Sequence, residues 1–416
     1  MKKLLVLAGK PIGSCEIVSY AKQHGAYVIV TDYLPKEMSA AKRIADECWD
    51  VSTADVDELV RLVKEKNIDG IYTGVHEFNI RKMIEVCSKT ELPCFCTLEQ
   101  WDMLCDKRRF KELCRKYDVP VSKEYVVRKP EDIDKISADS YPLIIKPADG
   151  SGSRGFSICR TSDELHIAYA KAVEFSETGS VLVETFMNYH NSAIINYTLV
   201  NGKAFFSGIS DKLSEKVFDN GAPVMAVQFY PSKFEKEYLS LLDAKVKRMF
   251  EEAGLKNGVI WIEAFCDNGK FTFNEMGFRF GGSLTYLPVY HFYGVDQLAL
   301  QIEYALTGQN IVPTLSETKR CDDNYCILPI HVNEGVIQRV EGIDVLEQRD
   351  ELVKIVPVHF VGDKIEKWGS AQQVFAYIHF KGKSRAELDE FAKFIMKTVK
   401  VYGENNEQLL FNLYVK

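Results

Sequence analysis

Apolar runs alternate with amphipathic stretches from residue 1 to about residue 100. Lys3–Gly9 (KLLVLAG), Tyr27–Tyr33 (YVIVTDY) and Asp69–Gly74 (DGIYTG) read as strands, with a helix pattern from Ser14 to His24. Ala54–Asn67 carries apolar residues at helical spacing, with a cap expected at Ser52 or Thr53. This βαβα order predicts a parallel sheet with right-handed crossovers. A single helix is then expected from Leu98 to Lys116, a boundary at Asp118–Val121, and strands at Tyr141–Pro147 and Val181–Met187. Antiparallel strands and a helix from about Phe234 to Ala253 follow. Beyond residue 311, strands are expected at Leu352–Val361 and Gln373–Gly382, and a helix at Ser384–Val399.

With 46% apolar and 27% charged residues in 416, the composition is that of a soluble protein with two or three domains. The net charge of -7 argues against a nucleic-acid partner, so any phosphate must be held by a local site. The apolar run after Met1-Lys2-Lys3 is too short for a signal peptide and no stretch reaches membrane-spanning length, so a cytoplasmic location is expected. Eleven cysteines without a regular framework then read as reduced thiols.

Candidate chemistry concentrates between Gly258 and Gly282, GVIWIEAFCDNGKFTFNEMGFRFGG, a predicted hairpin with two carboxylates and an arginine. Glu263 lies in an apolar strand, Asp267-Asn268-Gly269 makes the turn, and Glu275 lies on the returning strand ahead of Arg279. Acids in apolar strands are costly unless a positive charge neutralises them, so a bound cation is one physical reason for them; the other reading is an exposed hairpin with solvated acids. Paired hard oxygens suit magnesium, which fills its remaining positions with water and phosphate oxygens. Two registers are open. A three-residue loop at Asn268 to Lys270 sets Glu263 across from Glu275, whereas a strict two-residue Asn-Gly loop sets Asn274 there.

A second feature is Lys146 followed by Asp149–Gly155 (DGSGSRG), a dense glycine-serine segment after a strand. Backbone amides of such a loop approach phosphate oxygens closely, and the lysine adds a point charge, although a flexible surface turn has the same composition. Gly9, Pro11 and Gly13, with Asp32 farther on, match a dinucleotide fingerprint poorly, because a proline replaces the second glycine. Glu77 and Asn79 fall at the same carboxyl edge of the first sheet.

Taken in order, Lys107, Lys146 with its glycine-serine loop, Val183-Glu184-Thr185, Glu263, Glu275, Arg279 and Gly281-Gly282 resemble the ATP-grasp superfamily of ATP-dependent carboxylate-amine ligases. The similarity is greatest to the branch of carbamoyl-phosphate-synthase-like, purine-pathway and amino-acid ligases, and it covers nearly the whole chain. It implies α/β and α+β architecture: a Rossmann-like domain over residues 1–100, a two-lobed ATP-clamping domain over 101–310 with lobes meeting near 180, and a small α/β subdomain over 311–416. It implies ATP and Mg2+ as cofactors, with Mn2+ as the substitute cation. By position, Lys107 and Lys146 contact the phosphates, and Gly150, Ser151, Gly152, Ser153 and Gly155 form the lid over them. Glu184 is the acid at the adenine edge, the amide near Met187 reads the purine, Glu263 and Glu275 hold the metal, and Arg279 acts with Lys146 on the reacting carboxylate. Two positions depart from the pattern. Asn191 stands where many relatives hold the ribose with a glutamate, and Gly277 where they carry a metal-binding asparagine; an amide oxygen and a water, respectively, are expected to serve instead.

The implied chemistry is attack of a carboxylate on the γ-phosphate of ATP, giving an acyl phosphate that an amine displaces with release of phosphate. Positioning and cation charge dominate such a reaction. A small carboxylic acid, with amino acids among the candidates, and an amine are the expected substrates; a homodimer is the default assembly. Carbamoyl-phosphate-synthase-like activation of bicarbonate and a catalytically impaired ATP-binding protein are the alternatives. Lys212 and Arg154 are weaker candidates for the transferred phosphoryl, Tyr286 and Tyr290 line either a substrate cavity or the core, and His76, His190 and His291 read as structural histidines.

Overall fold

The computed structural model describes residues 1–416 apart from 11, 150–154, 189, 218–222, 311–314, 368, 370 and 416. Strands β1 (Lys3–Leu7), β2 (Tyr27–Thr31), β3 (Glu47–Trp49) and β4 (Gly70–Thr73) form a parallel sheet in the order β3-β2-β1-β4. The residues of β1, β2 and β4 are buried almost throughout, as expected when helices cover both faces, while the edge strand β3 is only partly buried. The helix Val56–Lys66 is capped by Asp55, whose side chain accepts from the Glu58 amide, two residues past the nearer expected cap. Asp32 is consumed inside this unit: it accepts from the Gly9 amide at 2.8 Å and from Ser39 Oγ at 2.9 Å, and pairs with the buried Lys42 at 3.2 Å. That network accounts for the glycine and the acid without a dinucleotide.

The expected single helix from Leu98 to Lys116 is two helices, Leu98–Cys105 and Lys107–Lys116. Asp106 breaks it, taking an extended conformation (ψ 121°) and accepting from the amides of Arg108 and Arg109 as the cap of the second. Lys107 therefore opens a helix rather than lying inside one. The expected helix from Phe234 to Ala253 also divides, at Leu242 (φ -127°, ψ -31°), into Glu235–Leu241 and Asp243–Glu252, here without a side-chain cap.

A small antiparallel sheet follows, from β5 (Glu124–Tyr125), β6 (Leu143–Pro147), β7 (Ser157–Cys159) and β8 (Val181–Thr185), in the order β5-β8-β6-β7. It has its own core around Leu143, Ile145, Leu165 and Val183, under the helix Ser162–Glu174. The largest sheet runs β13-β12-β9-β10-β11-β14 from β9 (Asn191–Val200), β10 (Lys203–Lys216), β11 (Pro223–Tyr230), β12 (Gly258–Asp267), β13 (Lys270–Gly277) and β14 (Asn324–Val332). The strands Val374–Gly382 and Leu352–Pro357 continue that sheet beyond β14, because β14 donates its free edge to them instead of ending it. One hydrophobic core joins the parallel sheet to the large sheet, with Phe95 stacking edge-on against Phe278 at 5.1 Å. Among the described residues no helix is long and apolar enough to cross a membrane.

Candidate functional site

The hairpin β12–β13 closes through two residues, Asn268 and Gly269, since Asp267 pairs with Lys270. Both have positive φ, 48° and 80°, as a tight hairpin turn requires. The three-residue loop is thus ruled out, yet Glu263 still faces Glu275. A β-bulge between Glu263 and Ala264 restores that pairing: Ala264 opposes Phe273, Glu263 opposes Glu275, and Asn274 is the extra residue. A two-residue loop sets Asn274 opposite Glu263 only where pairing is regular, and a bulge shifts register as effectively as a longer loop. As a result Asn274 and Glu275 both line the cleft with Glu263.

That cleft is a cavity of about 640 Å³ whose walls come from the parallel sheet, the small antiparallel sheet and the large sheet. His76 and Glu77 come from the carboxyl edge of the parallel sheet, Lys107 from its helix N-terminus, Lys146 and Met187 from the small sheet and its exit, and Lys212, Glu263, Asn274, Glu275 and Arg279 from the large sheet and the loop beyond it. Lys107, Lys146, Met187, Glu263, Glu275 and Arg279, all named from the sequence, therefore meet in one place.

Charge pairing organises this cavity. Lys212 Nζ lies 2.5 Å from Glu263 Oε1, which also accepts from Ser192 Oγ at 3.0 Å, and Asn274 Nδ2 lies 3.4 Å from Oε2. Burial alone raises the Glu263 carboxyl, but the charge of Lys212 and these hydrogen bonds more than reverse it, holding the group below the usual carboxylate range. Lys107 Nζ is 3.9 Å from Glu275 Oε2. Lys146 Nζ spans the cleft, 3.0 Å from Glu184 Oε2 and 3.2 Å from Asn274 Oδ1. Arg279 donates to Glu77 Oε1 at 2.8 Å, and its guanidinium carbon is 5.2 Å from the centre of the Trp261 ring.

Glu184 lies beneath the cavity wall at 1% exposure, where Lys111 Nζ and Lys146 clamp its two oxygens. Burial raises its carboxyl, and the two lysines overcome that and hold it low. Burial, and then the charge of Lys146, push the Lys111 ammonium down to about 8. Sequence reading passes over Lys111, names Lys212 only as a weaker candidate for the transferred phosphoryl, and brings in Asn274 only as the residue across from Glu263 in the two-residue register. For Lys111 the available signal was its spacing, four residues after Lys107 on one helix. Neither of the other two carries a local motif; sheet pairing alone brings them in.

Gly150, Ser151, Gly152, Ser153 and Arg154 lie outside the described residues. Gly155, at φ +72°, seats its backbone where a Cβ would be 2.9 Å from Pro147 Cγ, so the end of the loop turns tightly over β6. Asn191 is exposed at the start of β9 and is not among the cavity residues; its neighbour Ser192 supplies the inward hydroxyl. Asn79 is buried and holds the Thr53 hydroxyl at 2.8 Å rather than facing the cleft. Tyr286 packs on Phe280 in the core and Tyr290 is exposed.

Gly277 has a steric explanation. A Cβ there would lie 2.2 Å from Trp261 Nε1 and 2.6 Å from Cε2, so the indole occupies the room a side chain needs. Asn274 instead brings an amide to the cleft from the bulge, three residues before Gly277. The donors Glu263, Asn274 and Glu275 are all hard oxygens, which fits a magnesium-type cation.

Residues 139–286 match the family model of the ATP-grasp domain. Among curated proteins, the chain is 29% identical over 150 residues to the ATP-grasp enzyme fsqD of Aspergillus fumigatus, covering 34% of this chain and 26% of that enzyme. It is 26% identical over 296 residues to a formate-dependent phosphoribosylglycinamide formyltransferase of Trichormus variabilis, covering 67% and 70%. The chain spans less than half of the first curated relatives it matches, 26% and 48%. Its fold is that of the L-amino acid ligase of Bacillus licheniformis, with a TM-score of 0.75 at 18% identity over 97% of this chain and 99% of that one.

Proposed function

We propose, on the ATP-grasp match over residues 139–286, that this chain belongs to the ATP-grasp superfamily and is an ADP-forming ligase, joining a small carboxylic acid to an amine through an acyl phosphate. One observation carries the reading: two carboxylates face each other across a bulged hairpin, within a cleft shared by Lys107, Lys146, Lys212 and Arg279. Such a cleft matches a triphosphate, which needs cations on several oxygens at once. The division into a parallel-sheet domain, a small lobe and a large lobe belongs to the same proposal.

Glu263, Asn274 and Glu275 would hold magnesium, which supplies charge to the phosphate oxygens when bound. The other roles fall to side chains. Lys146 and Lys107 neutralise phosphate oxygens, Met187 borders the base, and Lys212 sets the orientation of Glu263 through their 2.5 Å pair. Arg279 receives the acid substrate's carboxylate, with Glu77 holding the guanidinium in its absence. Such pairs are worth about 4 kcal/mol at 4 Å with an effective dielectric near 20, against about 1 kcal/mol in bulk water, so exclusion of water from the cleft matters. A homodimer belongs to this proposal and is read by gel filtration.

The test is a screen of carboxylic acids, bicarbonate included, paired with amines, following ADP and phosphate release and then product mass. At least one acid must stimulate release, and Glu275→Gln must lose that stimulation while keeping the wild-type circular dichroism. Full turnover in Glu275→Gln, or no stimulation by any pair, overturns the reading.

A further inference from the structure

Outside the cleft, three potential ligands converge near the end of the helix Tyr286–Tyr293. His291 Nε2 lies 3.2 Å from Asp323 Oδ2 and 3.5 Å from Cys321 Sγ, and the three ligand atoms all lie within 4.8 Å of one another. None of the three residues lines the cavity described above. Two chain segments meet here: the helix carrying His291, and the residues leading into β14, tied to it by the Arg320 amide donating to the Phe292 carbonyl at 2.6 Å.

A cysteine, a histidine and an aspartate in contact suggest either a nucleophile relay or a metal site, and the atoms decide between them. A relay needs the thiol on one ring nitrogen and the carboxylate on the other, so that the proton passes through the imidazole. Here both groups face the same nitrogen, Nε2, and converge on one lone pair. Tetrahedral zinc, with bonds of about 2.0–2.3 Å, separates its ligand atoms by roughly 3.3–3.7 Å, close to the two separations found. Lys383 Nζ takes the other oxygen, Asp323 Oδ1, at 2.5 Å and leaves Oδ2 directed at the histidine, the kind of outer hydrogen bond that orients a metal-binding carboxylate.

We propose that His291, Cys321 and Asp323 form a zinc site that fastens the helix Tyr286–Tyr293 to the start of β14, with a water in the fourth position. Nitrogen, sulfur and one carboxylate oxygen suit zinc and its cobalt substitute and exclude magnesium, which takes oxygen alone. The site does not depend on the ligase reading.

The experiment uses the full chain, stripped with chelator and titrated with Co2+ and, separately, with Zn2+. One equivalent of Co2+ is expected to give a thiolate-to-cobalt charge-transfer band in the near ultraviolet that Zn2+ displaces. Cobalt in the cleft, bound by oxygen alone, cannot produce that band. Cys321→Ser must abolish it, and His291→Gln must weaken zinc by at least the roughly 10–100-fold that loss of even a supporting partner costs. If Cys321→Ser fails to fold, His291→Gln and Asp323→Asn decide, because the other free cysteines could also give a thiolate band, and an unchanged band in both variants overturns the proposal. Absence of the band in the wild type, or its survival in a folded Cys321→Ser protein, overturns the proposal.

Discussion

Gly277 shows how a single position is set by a residue on the neighbouring strand. It pairs with Trp261 across β12 and β13, and the indole fills the space above its Cα. Gly277→Ala must displace the ring, at a cost of about 1–3 kcal/mol typical of overpacking. Chemical denaturation should show that loss, and adding Trp261→Leu should recover part of it; an unchanged midpoint for Gly277→Ala would contradict the steric account. Glu184 is the opposite kind of residue, a buried charge tolerated only because Lys111 and Lys146 both neutralise it.

The bulge in β13 is the element that assembles the cleft. Without the bulge, regular pairing from the two-residue turn would set Asn274 opposite Glu263 and send Glu275 to the far face, since side chains alternate along a strand. With it, Asn274 and Glu275 both serve the same cavity, and Asn274 links Glu263 to Lys146 across 3.4 and 3.2 Å. Hydrogen bonds to charged groups are worth about 1.5–3 kcal/mol, so Asn274→Ala should weaken binding of Mg-ATP by about tenfold or more in a calorimetric titration. Equal affinity would remove Asn274 from the site. The break at Asp106 works similarly, because it gives Lys107 the first position of a helix beside β13 instead of burying it mid-helix.

At the scale of the whole molecule, the cleft exists because three sheets meet, and its inter-sheet contacts are polar. The Arg279–Glu77 pair connects the large sheet to the carboxyl edge of the parallel one, with Glu77 about half exposed. An ion pair so open to water contributes at most about 1 kcal/mol. Glu77→Gln should therefore leave the melting temperature nearly unchanged while freeing Arg279, so that under the proposed ligase function the KM for the acid substrate falls and that for ATP does not move. A large drop in stability would instead make this pair a structural tie.

Much of this was legible in the chain because it is local. Alternation and helical periodicity mark β1, β2, β4, β6 and β8, and composition marks the glycine-serine loop. The order of Lys107, Lys146, Glu184, Glu263, Glu275 and Arg279 resembles the family pattern before any coordinates. Tertiary structure alone decided the rest: the bulge that pairs Glu263 with Glu275, the entry of Lys212 and Asn274 into the cleft, the buried Lys111–Glu184 pair, and the indole above Gly277. Each of these depends on which strands are neighbours and in what register. That follows from packing between residues far apart in the chain, which no local pattern records.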